Sequence, residues 1–295
     1  MAYATSQWYK LTCRRLSQVS RIEKYNPHKQ SSASRRIQAA KGNYSGRGAL
    51  IRELTFDDIK RDAIGFGLAT DVLHQLNAGK EASIYLATWR EHPIILKAYR
   101  MHQSCHRISK KHGYSSAASA KRTHNVLAMM EDLAVKEFDL LMKCFRAGMH
   151  VPTPVGRVGQ YLTMRFIGDV TAPAPQIRNV ELQEPSRALD QILDDYLVMY
   201  RDVNYVHGDL SEYNILWWED RPWIIDVPQA EPVDKHCDMM RIEAVLRRDL
   251  QNLLGFFENY HVYRDLEQIL NVFLSAYIPD NQKHYRELRV RGEIV

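Results

Sequence analysis

The segment His207-Gly208-Asp209-Leu210-Ser211-Glu212-Tyr213-Asn214 constrains this chain more than any other. It is a polar run bracketed by Tyr205-Val206 and Ile215-Leu216-Trp217-Trp218, so it reads as a loop held between apolar segments. Trp223-Ile224-Ile225 then follows a Glu219-Asp220-Arg221-Pro222 turn, which predicts a strand pair across that turn. Asp226 comes directly after it. A hairpin between Asn214 and Asp226 lets both side chains converge on one cation. Mg²⁺ suits such a site, because it takes few protein oxygens and completes its shell with phosphate and water.

The spacing H-x-D-L-x-x-x-N is the catalytic-loop pattern of kinase-like phosphotransferases. That chemistry needs a carboxylate to accept or orient the proton of the attacking hydroxyl, and Asp209 fits the role. It also needs an amide oxygen for the metal, which Asn214 supplies, and a second metal carboxylate, which Asp226 supplies. Lys97 lies inside the apolar run Ile94-Ile95-Leu96-Lys97-Ala98-Tyr99, where a cation either snorkels out or meets an anion. Glu137 is flanked at i−4 and i+4 by Leu133 and Leu141, so it lies on the apolar face of a predicted helix. A carboxylate there is costly unless paired. A Lys97–Glu137 pair, with Lys97 also on the α/β-phosphates, satisfies both groups. The stretch Asn77-Ala78-Gly79-Lys80-Glu81-Ala82-Ser83 has one glycine and matches neither common phosphate-binding glycine motif. Its backbone amides near Gly79, the Lys80 ammonium and the Ser83 hydroxyl are the candidate phosphate contacts.

The remaining sequence predicts an α+β chain with two lobes. Thr55 before Phe56-Asp57-Asp58-Ile59 reads as a helix start, and strands are expected over 72–76, 83–87, 94–99 and 161–164. Residues 101–124 read as a mobile loop without periodicity, and Val126 to Phe145 as a helix stopped by Gly148. Further helices are expected from about Ser186 to Asp202, through Ile242–Phe257, and near Leu266 to Tyr277, the last closing the chain. The expected boundaries are a basic arm over 1–49 and a folded domain over 50–295. Its first lobe covers about 50–164 and its second about 169–295.

Charge is distributed unevenly. Residues 1–50 carry ten Lys/Arg and one acid, a net of +9, which leaves −4 on the other 245 residues. Such an arm fits a polyanion such as RNA, though a solvated tail or an Arg/Ser-rich transit peptide shares the composition. The four cysteines, Cys13, Cys105, Cys144 and Cys237, are too far apart for a zinc knuckle or a redox pair. His102-Gln103-Ser104-Cys105-His106 could offer three metal ligands but has no fourth nearby, and reads as solvated loop. No apolar run approaches the ~20 residues of a membrane span. The expectation is a reduced, cytoplasmic protein with no membrane partner.

These residues resemble the RIO-type atypical serine/threonine protein kinases. His207 to Asn214 is similar to that family's catalytic loop, and Ile225-Asp226-Val227-Pro228-Gln229-Ala230 to its metal loop. Gly79-Lys80-Glu81-Ala82 resembles its nucleotide loop, Met164-Arg165-Phe166-Ile167-Gly168 its hinge, and Val151-Pro152-Thr153-Pro154 the segment before it. The resemblance spans about 70 to 260. It implies a two-lobed protein-kinase-like fold with a shortened C-terminal lobe, since only 69 residues follow Asp226 and no A-P-E segment appears. It implies ATP and Mg²⁺ as cofactors, with Asp209 as catalytic base and Asn214 and Asp226 on the metal. It further implies Lys97 on the phosphates, the backbone at Arg165 and Ile167 on adenine, and an aspartyl-phosphate on Asp226. Serines within 101–124 become autophosphorylation candidates. The family's work in small-ribosomal-subunit maturation, often as an ATPase switch, implies ribosomal RNA or a pre-ribosomal particle as partner of the basic arm, with no DNA specificity. The arm's shortage of apolar residues favours the branch without an N-terminal winged helix.

Two other classes compete. Small-molecule phosphotransferases of the aminoglycoside or choline kinase sort also use H-G-D-L and a later I-D. Ser211-Glu212-Tyr213 and Pro228-Gln229 stand against that reading. A non-catalytic pseudokinase would not need Lys97, Asp209, Asn214 and Asp226 all at once.

Overall fold

The structure is a computed structural model and describes residues 54–79, 81–100, 122–169 and 172–291. The basic arm, Lys80 and most of the 101–124 segment lie outside the described residues, as do the 102–106 His/Cys cluster and the serines there. The chain divides into two compact units. Of the described residues, one holds those up to Phe138 together with Pro154–Arg165, and the other holds Asp139–Thr153 and those from Phe166 onward.

The first unit is built on an antiparallel sheet of five strands. Helix α1 (Phe56–Gly65) precedes β1 (Asp71–Ala78), β2 (Ala82–Trp89) and β3 (His92–Tyr99). Helix α2 (Arg122–Arg146) is followed by β4 (Pro154–Val158) and β5 (Tyr161–Arg165), and the sheet order is β1-β2-β3-β5-β4. Thr55 begins α1 as expected: its side chain accepts from the Asp58 amide while the Asp58 carboxylate accepts from the Thr55 amide, a capping box. The side-chain period of two sorts β3 into faces. Ile94, Leu96 and Ala98 pack with Ile59, Ala63, Val72 and Tyr161, on the α1 side. Tyr99, on the opposite face, packs with Ala82 and with Met130, Leu133 and Ala134 of α2. Lys97 belongs to this second face and sits mid-sheet, paired with Ile84 on β2 and Leu162 on β5.

The second unit is mainly helical. Helix α3 (Pro185–Val198) widens into a π turn over Met199–Val203, which ends at Asn204 in the left-handed region (φ 62). The expected helix to Asp202 is therefore α-helical only to Val198. The Asn204 backbone N–H closes the wider turn onto the Met199 carbonyl, and its side-chain Nδ2 donates to the Arg201 carbonyl at 2.9 Å. Strand β6 (Tyr205–Val206) pairs with β9 (Glu231–Pro232), and β7 (Ile215–Trp218) pairs with β8 (Arg221–Ile224) as the expected hairpin. Helix α4 (Met239–Glu258) starts at an Asp238 cap and buries Ile242, Leu246, Leu250, Leu253 and Phe257. Helix α5 (Leu266–Ala276) sets Phe273 against Tyr196 and Tyr200, with ring centroids at 5.3 and 5.7 Å.

Two expectations need correcting. The helix near 266–277 is not the last one, because α6 (Lys283–Val290) follows. Its polar sequence hides the period, and the buried Tyr285 anchors it by donating to Glu243 at 2.7 Å. Residues 122–124 are helical rather than loop, since α2 begins at Arg122.

Gly168 turns the chain where the second unit resumes, with φ at +144. A Cβ there would overlap the Ala172 carbonyl and lie 2.8 Å from the Ala174 amide, both backbone atoms that cannot swing aside. Gly168→Ala is expected to destabilise the protein by on the order of 2 kcal/mol or more. Urea denaturation, followed by circular dichroism, measures this.

Candidate active site

In the first unit the pleat directs Lys97 to α2, and the expected pair forms. Lys97 Nζ lies 2.8 Å from Glu137 Oε1. Both residues are almost wholly buried, at 6% and 2% exposure. The hydroxyl of Tyr99 donates to the other oxygen, Glu137 Oε2, and the Tyr99 ring lies 5.3 Å from the Lys97 ammonium. Burying the ions is tolerable because both carboxylate oxygens are met; removing one partner of such a pair costs about 3–5 kcal/mol.

The single-glycine loop is held from outside. The Gly79 amide donates to Ala82 O at 3.0 Å, and the Gly79 carbonyl accepts from Arg100 Nε at 3.1 Å and from its Nη2. The Arg100 amide in turn donates to Glu81 O at 2.9 Å. Ser83 pairs with Ala98, whereas Lys97 pairs with Ile84. The two side chains therefore lie on opposite faces of the sheet, and Ser83 is 4% exposed. The pleat therefore turns the Ser83 hydroxyl, a candidate phosphate contact, away from the sheet face that bears Lys97.

At the hinge, Arg165 ends β5 opposite Ile94. Ile167, in the second unit, accepts from the Ala174 amide at 2.9 Å, and its own N–H donates to none of the described residues. That N–H is the group it can offer a ligand.

In the second unit the catalytic-loop residues are fixed by a chain of short contacts. The buried His207 ring accepts the Asp209 amide at Nδ1 (3.3 Å) and donates from Nε2 to the Ile225 carbonyl (3.1 Å), so the Nε2–H tautomer satisfies both. The Ile225 amide donates to Asn214 O at 2.9 Å. These bonds tie the loop to the residue just before Asp226, which is exposed and sits in the left-handed region at φ 62. Asn214 Nδ2 donates to Asp209 O at 2.8 Å and to Asp209 Oδ2 at 3.2 Å. With its nitrogen committed to Asp209, Asn214 has its amide oxygen left for a cation. An amide oxygen and an exposed carboxylate form the hard-oxygen set that suits Mg²⁺.

Beneath the loop lies a residue that the sequence reading missed. Asp249 of α4 is fully buried and accepts the Gly208 amide at 2.7 Å and the Tyr196 hydroxyl at 2.8 Å, both on Oδ2. Arg248 donates to the Gly208 carbonyl. Burial pushes the Asp249 carboxyl above the usual carboxylate range, against the opposing pull of its hydroxyl and amide donors and of Arg248. Burial beside Asp249 also drives the Tyr196 phenol well upward. Gly208 itself, at φ +82, has no room for a Cβ, which would overlap Gln229 O. The signal for Asp249 was present: it stands between Leu246 and Leu253, as Glu137 stands between Leu133 and Leu141.

Comparison with solved structures identifies this fold as protein-kinase-like. The Rio2 kinase–ADP/Mg²⁺–phosphoaspartate complex from Chaetomium thermophilum matches with a TM-score of 0.58, over 81% of this chain and 75% of that one, at 21% identity. A family model of the RIO domain matches residues 83–270. The RIO-type serine/threonine-protein kinase Rio1 of Thermoplasma acidophilum is 36% identical over 134 residues, covering 45% of this chain and 68% of that protein. The serine/threonine-protein kinase RIO1 of Caenorhabditis elegans is 31% identical over 198 residues, covering 63% of this chain and 37% of that protein. The chain belongs to the RIO family. Its match spans little more than a third of the nematode relative's length.

Asp249 carries a pH signature. A carboxyl whose pKa is raised by folding contributes most stability when protonated and loses that contribution as pH rises through the folded value. Asp249→Asn removes the titration. The stability of the wild type relative to Asp249→Asn is therefore expected to rise on going from pH 7 towards pH 4. Urea denaturation of both proteins at several pH values reads the trend.

Proposed function

We propose that this chain is an ATP- and Mg²⁺-dependent serine/threonine kinase or ATPase of the RIO type. The observation that carries the reading is the bonded series Asp209–Asn214–Ile225–His207. It sets a proton-accepting carboxylate, an amide oxygen free for a metal and the strand leading to Asp226 in one rigid loop. Lys97, held by Glu137 and Tyr99, supplies a buried cation for the α/β-phosphates. The Arg165 and Ile167 backbones take adenine, and the nucleotide loop around Gly79 and Lys80 takes phosphate.

Asn214 and Asp226 hold Mg²⁺, which neutralises charge developing on the phosphate oxygens. Asp209 accepts the proton of the attacking hydroxyl as the new P–O bond forms and ADP departs. In the ATPase mode an Asp226 oxygen is itself the nucleophile: its bond to the γ-phosphorus forms as the bond to ADP breaks. Water then cleaves the acyl-phosphate and releases inorganic phosphate. The phosphoaspartate in the complex of the fungal Rio2 kinase supports this mode. The basic arm, with a net of +9 over residues 1–50, is read as an RNA-binding segment for ribosomal RNA in a pre-ribosomal particle, in the cytoplasm.

Incubation with γ-³²P-ATP and Mg²⁺, followed by hydroxylamine, tests the chemistry. Protein-bound label that hydroxylamine releases supports the acyl-phosphate, and stable label supports hydroxyl transfer; neither label nor free phosphate would overturn the reading. Asp209→Ala is expected to lower turnover by on the order of 10²- to 10⁴-fold with an unchanged circular dichroism spectrum. Asp226→Asn is expected to abolish hydroxylamine-labile label, and normal turnover in that folded variant would sink the mechanism. For the arm, removal of residues 1–50 should weaken binding to single-stranded RNA and flatten its dependence on salt. A filter-binding titration over a range of salt concentrations measures both.

A further inference from the structure

We infer that Arg178 and Tyr213 form a site that recognises an acidic side chain on the peptide presented to Asp209. The inference deepens the kinase reading and rests on it. Tyr213 immediately precedes Asn214 in the catalytic loop and is exposed. The Arg178 guanidinium lies over its ring, 4.3 Å from the centroid. Arg178 Nε donates to Gln176 Oε1 at 2.9 Å, and Gln176 Nε2 donates to the Tyr213 carbonyl at 2.8 Å. The backbone beneath is fastened too, since Gln176 bridges to Leu216 and the Trp217 amide donates to Pro175 O at 2.9 Å.

A surface arginine ordinarily loses rotamer freedom when it binds, and that cost reduces what it contributes. Here the ordering is already done by the ring and the glutamine. With Nε committed, the two terminal nitrogens form the open edge, the fork that grips a carboxylate with two parallel bonds. Among the described residues no carboxylate pairs with Arg178, not even Glu212 of the same loop. A fixed, exposed, unpaired cation stacked on Tyr213, the residue next to the Asn214 that bonds Asp209, is a specificity element. The partner is a peptide with a Glu or Asp near its acceptor serine or threonine. RNA is disfavoured because Arg178 already covers a Tyr213 face on which a base would stack.

The test uses the full chain and fluorescence anisotropy without turnover. Two labelled peptides carry one serine, flanked by glutamates in the first and by glutamines in the second. The wild type is expected to bind the glutamate peptide at least ten-fold more tightly. Arg178→Glu should lower that ratio ten-fold or more and improve binding of a third peptide with lysines in place of the glutamates; Arg178→Lys should restore part of the ratio. The basic arm is common to all variants and cancels from the comparison. Equal ratios in wild type and Arg178→Glu would overturn the inference, as would uniform loss of all three peptides, the mark of a purely structural contact. Loss of affinity for a single-stranded RNA oligomer with the peptide ratio intact would also overturn it. The ratio is read independently of ATP, so failure of label transfer in the wild type would count against the kinase reading alone.

Discussion

A carboxylate on the apolar face of an element is costly unless donors meet it, and the site architecture of this chain hangs on that constraint. Asp62, Glu137, Asp195, Glu243 and Asp249 are the buried acids among the described residues. Four of them accept a tyrosine hydroxyl: Asp62 from Tyr161, Glu137 from Tyr99, Asp249 from Tyr196 and Glu243 from Tyr285. A phenol suits this work. It carries a large apolar body into the core with one donor at its tip, and it brings no second charge to desolvate. The fifth acid, Asp195, accepts both the ring and the backbone N–H of His150, whose carbonyl holds the Ile224 amide of the hairpin at 2.8 Å.

Two of these carboxylates bear on chemistry, and they differ in what they fix. Glu137 fixes a side chain: it holds the Lys97 ammonium in place on β3. Asp249 fixes backbone: it takes the Gly208 amide and so sets the start of the catalytic loop. Gly208 is glycine for the same reason, because its left-handed turn passes against Gln229 with no space for a side chain. The His207 ring then passes this constraint to Ile225, one residue from Asp226. Asp209 and Asn214 stay exposed or half-buried, as the roles proposed for them toward substrate and metal require.

Local signals of this architecture were legible in the sequence, and the long-range pairings were not. Periodicity placed Glu137 on a buried face and Lys97 in a strand, and cost arguments then paired them. The same argument applied to Asp249 would have found it between Leu246 and Leu253. Its partner Tyr196 could not have been found so, because the contact spans 53 residues and nothing local marks that tyrosine. Helix α6 was missed because its buried surface rests on Tyr285 rather than on an apolar stripe. The π turn at Met199–Val203 was missed because its sequence continues the helical pattern of α3 without a break.

The nucleotide loop shows how the departure from a glycine-rich motif is made good. A loop with several glycines reaches phosphate by letting its backbone approach closely. Residues 77–83 contain one glycine, so the loop's shape needs another support. Arg100 supplies it: its guanidinium grips the Gly79 carbonyl, and its amide grips Glu81 on the far side of Lys80. The loop is thereby braced at both ends by the residue that follows β3, the strand bearing Lys97. Ser83, being on the other face of the sheet, falls outside this arrangement, and its burial fits a packing role. Arg100 thus holds the Gly79 and Glu81 carbonyls, and the shape of the loop rests on these bonds rather than on further glycines.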